Sequence, residues 1–181
     1  YNYCYCTKSS HFSFVVEEAL KHNINLETSF AYDIEIINQL YKRRKITKDI
    51  FIVCNGFKRD QYVTNIARLI NNGHKNTIPV IDNFEELDLL QSAIKGKFKI
   101  GIRIAAEEEP KFEFYTSRLG IGYKNIVPFY RKQIHENKKL ELKMLHFFIN
   151  TGINDNAYYW SELIKCIKVY VALKKECPSL D

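Results

Sequence analysis

The sequence predicts an α/β fold of parallel strands alternating with helices, best described as about three quarters of an eight-stranded parallel barrel. Short apolar runs alternate six times with segments of helical period, which is the pattern of strand–helix units. No G-x-G-x-x-G or G-x-x-x-x-G-K-[ST] loop follows an apolar run, and the chain has only 7 glycines, which disfavours an open nucleotide-binding sheet. No Pro/Gly-rich linker divides the chain, so residues 1–181 are predicted to form one domain.

The predicted strands are short, mostly apolar segments bounded by polar residues. They lie at residues 2–7, 25–28, 49–54, 77–81, 98–104 and 142–148. Since residue 2 already belongs to the first strand, we expect the chain to begin inside that strand and to carry no leader segment.

The predicted helices lie between these strands, at residues 11–22, 31–43, 59–72, 84–94, 126–136 and 155–177. Ser9 or Ser10 is a candidate cap for the first helix, and Asn72-Gly73 is typical of a left-handed turn that closes the third. The charged and aromatic stretch 105–124 has no clear period and is predicted to be a loop, which at that length is often functional.

The basic charge balance does not indicate a nucleic-acid-binding protein. The net charge is +6, but the basic runs at 42–45 and 138–139 are short and are offset by three glutamates at 107–109. Basic runs of this kind are typical of solvated turns. We therefore predict no binding to nucleic acid.

Cysteine usage and hydropathy predict a cytoplasmic protein. The 5 cysteines are scattered and odd in number, unlike a secreted disulfide framework. No uninterrupted apolar run approaches the roughly 18 residues that a membrane-spanning helix needs. We expect no association with a membrane.

Several chemically active side chains follow the predicted strands. In a parallel barrel the carboxyl ends of the strands meet at one mouth. The residues predicted at that mouth are Lys8, Glu27, Asn55, Asp82, Arg103 and the segment 148–151. A lysine, carboxylates, an arginine, an aromatic ring and a hydroxyl together suit an anionic aldehyde cofactor.

Each of these residues also has a simpler interpretation. A lysine at a buried strand end would be desolvated, which favours its neutral, nucleophilic amine, but a lysine is usually just a solvated charge. Glu27 could cap the following helix, and Arg103 could pair with the glutamates at 107–109. Cys4 and Cys6 share a strand face with Lys8, yet two thiols without further ligands predict no metal site.

A series of motifs in chain order resembles the alanine-racemase-like decarboxylases. Tyr5-Cys6-Thr7-Lys8 is similar to the Y-x-x-K strand of that family, Leu26-Glu27-Thr28-Ser29 to its second-strand L-E-x-x-S segment, and Gly101-Ile102-Arg103 to its fifth-strand arginine segment. Leu119-Gly120 with the two residues before it resembles S-K-F-G, and Met144-Leu145-His146-Phe147 resembles L-L-H-F. The run Val53-Cys54-Asn55-Gly56-Phe57-Lys58 resembles the biosynthetic arginine decarboxylases in particular.

The resemblance covers nearly the whole chain and implies a function. It implies that Lys8 carries pyridoxal 5'-phosphate, that Glu27 lies near the reacting carbon and the ring hydroxyl, and that Arg103 lies near the cofactor face. It implies that Phe148 stacks on the ring and that Thr151 contacts the phosphate. The implied reaction is decarboxylation of L-arginine to agmatine and CO2, which supplies polyamine biosynthesis.

The sequence also departs from the family pattern. Phe148 stands where relatives place a stacking histidine in H-x-G-S, and a phenyl ring supplies the flat apolar face but cannot hydrogen-bond or share charge. The family's phosphate-binding glycines and C-terminal β domain have no counterpart in residues 1–181, so we expect a barrel fragment that is inactive alone. The resemblance further implies a homo-oligomer for the full-length protein and an association with Mg²⁺ in some members.

Two alternatives stay open from the sequence. One is a decarboxylase of another basic amino acid, of the ornithine or diaminopimelate type, which would share Lys8, Glu27 and Arg103. The other is a non-catalytic barrel that serves as a binding or regulatory module, against which the retained lysine argues.

Overall fold

A computed structural model describes residues 2–106, 119–148 and 156–181. Its strands form one parallel sheet in which β1 to β6 are hydrogen-bonded in chain order and β7 also pairs with β5. The strands are β1 (Cys4–Cys6), β2 (Asn25–Thr28), β3 (Ile52–Cys54), β4 (Thr77–Ile81), β5 (Phe98–Ala105), β6 (Ile121–Gly122) and β7 (Leu140–Phe147).

Within the described ranges, six α-helices alternate with these strands. They are α1 (Ser13–Lys21), α2 (Ala31–Lys42), α3 (Asp60–Asn71), α4 (Phe84–Ala93), α5 (Tyr123–Phe129) and α6 (Asn156–Lys174). A 3₁₀ turn, Thr7–Ser9, follows β1, and a π-helical turn, Tyr130–Ile134, follows α5. The order is that of six βα units, the fifth of which contains the short additional strand β6.

The two faces of the sheet have different partners. Leu26, Ile52, Cys54, Ile81 and Ile102 belong to the main apolar core, which the helices complete with residues such as Ile34, Ile66 and Leu87. Because side chains alternate along a strand, the neighbouring residues point to the other face. That face is lined by Val53, Ile78 and Val80, which are buried outside this core. It corresponds to the inside of a barrel.

Every predicted strand and helix is present, but several bounds differ: β3 begins at Ile52 rather than at residue 49, β7 begins at Leu140 rather than at residue 142, and α6 ends at Lys174 rather than at residue 177. The stretch 105–124 contains the unpredicted strand β6, and α5 begins at Tyr123 rather than at residue 126. Neither candidate serine caps α1, because that helix begins at Ser13 after Phe12, and the Ser10 hydroxyl instead accepts a weak hydrogen bond from the Phe12 amide. Gly73 has a φ of +99°, as predicted for the end of the third helix.

Among the described residues, no helix combines the length and the apolar character required to cross a bilayer.

The prediction of a turn at 42–45 is confirmed, since α2 ends at Lys42 and Arg44 adopts a positive φ of 57°.

Candidate active site

Five polar side chains lie at the carboxyl ends of five strands, on the face lined by Val53, Ile78 and Val80. They are Glu27, Asn55, Asp82, Arg103 and His146. The strand register places them together: Arg103 and His146 are direct partners between β5 and β7, and the pairing of Val80 with Gly101 brings Asp82 beside Arg103 two residues later. Parallel strands therefore collect these groups at one end of the sheet.

Asn55 joins two of these groups through its side-chain amide. Its Nδ2 lies 3.1 Å from Glu27 Oε1 and 3.2 Å from His146 Nε2. Burial, reinforced by the charges of Arg103 and Lys58, lowers the pKa of His146 to about 4. The imidazole is therefore neutral at pH 7.

Arg103 is buried and has both an acidic and an aromatic neighbour. Its Nη1 lies 3.8 Å from Asp82 Oδ1, and its guanidinium carbon lies 5.6 Å from the centre of the Phe148 ring. Burial raises the pKa of Asp82, the Glu86 carboxylate acts in the same direction, and the cations of Lys58 and Arg103 oppose both. Arg103 and Phe148, both predicted at the barrel mouth, therefore lie next to each other.

Behind this layer, Lys58 is fully buried and forms an ion pair with Glu86. The Lys58 Nζ lies 3.3 Å from Glu86 Oε2 and donates a 2.9 Å hydrogen bond to the Gly56 carbonyl oxygen. The Glu86 carboxylate also accepts hydrogen bonds from the backbone N–H groups of Lys58 and Asp82. One carboxylate thereby holds the loops after β3 and β4 together.

The structure gives physical reasons for the residues of the Val53–Lys58 motif. Gly56 has a φ of +80°, and a Cβ there would lie 2.6 Å from the Ser29 carbonyl oxygen, so only glycine fits. Cys54 packs in the apolar core, whereas Asn55 faces Glu27 and His146. The motif connects the third strand to both neighbouring loops.

Lys8 lies in the 3₁₀ turn after β1 and is exposed to solvent. β1 is the edge strand of the described sheet, and the turn that carries Lys8 extends beyond it, so none of the other described strands covers this side chain. The hydroxyl of the preceding residue, Thr7, donates to the Glu27 carbonyl oxygen at 3.1 Å and attaches the turn to β2. No hydrogen bond or ion pair links Lys8 to another described residue.

Two simpler interpretations can be judged from the contacts. Glu27 does not cap the next helix, because Asp33 accepts the backbone N–H groups of Ser29 and Phe30 at 2.6 and 3.1 Å. Arg103 pairs with Asp82, while the glutamates at 107–109 and the predicted phosphate contact Thr151 lie outside the described residues. Lys58 and Glu86, which support the site, were not predicted.

The side chains at this end of the sheet fit a polar, aromatic aldehyde such as pyridoxal phosphate. Asn55 Oδ1, His146 Nδ1 and both Asp82 carboxylate oxygens are buried without a hydrogen-bond partner in the described part of the chain, as befits a polar ligand site. Arg103 supplies a fixed cation and Lys8 an accessible primary amine. Within the same residues, no group of three or more His, Cys, Asp or Glu side chains could hold a metal ion.

Comparison with known proteins shows a likeness to arginine decarboxylases. No protein-family model matches the chain. It is 27% identical over 188 aligned residues to arginine decarboxylase 2 of Arabidopsis thaliana, covering 96% of this chain and 26% of that protein. It is 26% identical over 169 residues to the biosynthetic arginine decarboxylase of a Prochlorococcus marinus strain, covering 89% and 25%. The chain thus spans about a quarter of these relatives.

Solved structures confirm the fold. Diaminopimelate decarboxylase from Helicobacter pylori, complexed with L-lysine, matches 95% of this chain and 43% of its own at a TM-score of 0.73 and 18% identity. The Paramecium bursaria Chlorella virus arginine decarboxylase bound to agmatine matches 92% and 42%, at 0.67 and 15%. PipY of Synechococcus elongatus, with pyridoxal phosphate bound, matches 99% and 77%, at 0.70 and 10%.

These likenesses confirm two predictions from the sequence. The fold is an alanine-racemase-like α/β barrel, of which about six βα units are present. The resemblance to biosynthetic arginine decarboxylases is confirmed by the sequence similarity to proteins of that name. The relatives are named as decarboxylases of arginine, and the structural neighbours as decarboxylases of several amino acids or as proteins that bind pyridoxal phosphate.

Proposed function

We propose that residues 1–181 are most of the barrel domain of a pyridoxal-phosphate-dependent carboxy-lyase that converts L-arginine to agmatine and CO2. The observation that carries this proposal is the alignment with proteins named arginine decarboxylases, which covers 96% of the chain and hence the whole polar cluster. The Val53–Lys58 motif, whose glycine and asparagine have the specific contacts described above, supports the same assignment.

Lys8 is the residue that we propose carries the cofactor. Its exposed amine is accessible to an aldehyde, and the bond from Thr7 to the Glu27 carbonyl fixes the turn that holds it. Glu27 stands on the adjacent strand, with Cys6 as its register partner two residues before the lysine. The two groups therefore lie at the same end of neighbouring strands.

Arg103, Phe148 and Thr151 would complete the cofactor contacts. The Arg103 guanidinium is fixed by Asp82 and placed against the Phe148 ring, so it offers positive charge beside a flat apolar surface. Phe148 supplies the stacking surface of the family's histidine without its ring nitrogens. The Thr151 hydroxyl is proposed as a phosphate contact on the basis of the resemblance alone.

When bound, pyridoxal phosphate would supply the conjugated ring that takes up the electron pair left on the α-carbon when CO2 departs. The chain's own residues bind and orient the reactants. Glu27, a carboxylate held through Oε1, would face the positively charged substrate amine, and Arg103 would face the substrate carboxylate or the ring oxygen. The association of some relatives with Mg²⁺ has no supporting carboxylate cluster in the described residues.

The identity of the amino-acid substrate is tested by comparing four candidates. The sequence relatives are named for arginine, whereas the structural neighbours include decarboxylases of lysine and diaminopimelate. We therefore propose to assay CO2 release by the full-length protein, loaded with pyridoxal phosphate, from arginine, ornithine, lysine and diaminopimelate in parallel. We expect arginine to have the highest kcat/KM and agmatine to be the product.

A non-catalytic barrel is the second candidate, and Phe148 in place of the family histidine is the observation that favours it. The variant Lys8→Arg separates the two, since it keeps the charge but removes the primary amine. Lys42→Arg, an exposed lysine on α2, is the matched control. Activity that is lost only in Lys8→Arg supports the enzyme, and turnover of none of the four substrates by the unmodified protein supports the binding module.

A further inference from the structure

The side-chain amide of Asn55 connects two groups that stand on strands not paired with each other. Its Nδ2 contacts Glu27 on β2 at 3.1 Å and His146 on β7 at 3.2 Å. An amide nitrogen carries two hydrogens and can donate to both acceptors at once. Asn55 is thus a bridge across the polar face.

The chemistry of the neighbours determines the orientation of this amide. The reverse orientation would place Asn55 Oδ1 against the Glu27 carboxylate, where two acceptors would face each other with no proton between them. With Nδ2 toward Glu27, the second N–H reaches His146. The Glu27 carboxylate thus orients the Asn55 amide, and the oriented amide makes Nε2 the ring nitrogen of His146 that accepts a hydrogen bond.

A ring nitrogen that accepts a hydrogen bond carries no proton, so His146 holds its proton on Nδ1. Burial lowers its pKa to about 4 and keeps the ring neutral. The cations that face it are Arg103 from β5 and Lys58 from the loop after β3. The nearby carboxylates are Asp82, which follows β4 and pairs with Arg103, and Glu27 of β2, on the far side of the Asn55 amide. Both nearby cations oppose protonation.

We propose that Asn55 is a positioning residue of the active site: it holds the Glu27 carboxylate through Oε1 and fixes His146 as its Nδ1–H tautomer. Glu27 Oε2 has no hydrogen-bond partner in the described ranges, so it is the oxygen offered to a ligand. The fixed Nδ1–H of His146 provides a donor on the face that lacks the family histidine at position 148. The effect on turnover rests on the proposed function, whereas the bridge itself does not.

The test is Asn55→Asp in the full-length protein, with histidine labelled in its ring nitrogens for NMR. Aspartate keeps the shape but repels Glu27 and attracts a proton to His146 Nε2. We expect the His146 tautomer to change from Nδ1–H to Nε2–H and its pKa to rise by at least about one unit. Asn71→Asp is the control. It removes a side-chain hydrogen bond from Asn71, at the carboxyl end of α3, to the Ala93 carbonyl oxygen, and it should change neither the tautomer nor the pKa of His146.

Kinetics give a second readout. In Asn55→Asp, kcat/KM for the substrate should fall by about tenfold or more, and its pH profile should shift in the direction of the His146 pKa. Asn55→Ser removes both bonds without adding charge, so it should release the tautomer while leaving the pKa low. This second variant decides the question if Asn55→Asp does not fold.

The outcomes separate this inference from the proposed function. An unchanged His146 tautomer and pKa in both Asn55 variants would overturn the bridge, whatever their activity. In Asn55→Asp, a changed tautomer with an unchanged pH profile would overturn the positioning role. If the unmodified protein turns over no substrate but the tautomer changes as expected, the proposed function fails and the bridge stands.

Discussion

Lys58 Nζ and Glu86 Oε2 lie 3.3 Å apart, and both side chains are excluded from solvent. Removal of one member of a buried pair leaves an uncompensated charge, which costs about 3–5 kcal/mol. We therefore predict that Lys58→Met lowers the free energy of unfolding by an amount of that order, measured by urea denaturation. Lys21→Met, whose lysine pairs with Glu18 at the surface, is the control and should leave stability unchanged. Equal stability of the two variants would contradict a structural role for the pair.

Gly56 allows the loop after β3 to approach the loop after β2. Gly56→Ala would put a Cβ 2.6 Å from the Ser29 carbonyl oxygen at a φ of +80°, so we predict a loss of at least about 2 kcal/mol of unfolding free energy. Gly96→Ala is the matched control, since its Cβ would meet nothing within 4 Å. A thermal or urea unfolding comparison that ranks both variants alike would show that this close approach does not occur in the protein.

The positions of the strands followed from the sequence, whereas the pairing of side chains did not. The bounds of β2 and β4 agree with their predicted ranges, and β4 is a largely apolar run that ends before Asp82. Strand β6 has only two residues, too few to show alternation. The pairs Asn55–His146 and Lys58–Glu86 join residues 91 and 28 positions apart, and a single sequence contains no signal for such pairs. A lysine within a polar run is normally predicted to be exposed, so the sequence did not predict the burial of Lys58.

The lowered pKa of His146 leads us to expect that the free energy of unfolding depends on pH. Its pKa is lowered from 6.5 to about 4 in the folded protein, so between these values the unfolded chain binds a proton that the folded protein does not. Stability is therefore full above pH 6.5 and falls as the pH decreases toward 4, by an amount on the order of 3 kcal/mol. We expect His146→Gln to flatten this slope in urea titrations. His22→Gln, at an exposed position, should retain it, because His74 and the other groups are the same in both variants.

Removal of the Phe148 ring is expected to weaken cofactor binding with little effect on the free energy of unfolding. Its ring is 46% exposed, so Phe148→Ala should cost no more than about 1 kcal/mol of unfolding free energy. If it stacks on pyridoxal phosphate, the same variant should weaken retention of the cofactor by about tenfold, and Phe148→His should restore it. Phe57→Ala, at 55% exposure, controls for loss of a surface aromatic. Equal cofactor retention in Phe148→Ala and Phe57→Ala would exclude the stacking role.

The most direct test of the central claim is borohydride reduction of the full-length protein in the presence of pyridoxal phosphate, followed by mass spectrometry of its peptides. We predict a reduced pyridoxyl group on Lys8, absent from Lys8→Arg and unaffected in Lys42→Arg, together with formation of agmatine from arginine before reduction. A protein that shows no adduct at Lys8, or whose adducts are spread over exposed lysines, would contradict the assignment of this residue as the cofactor lysine.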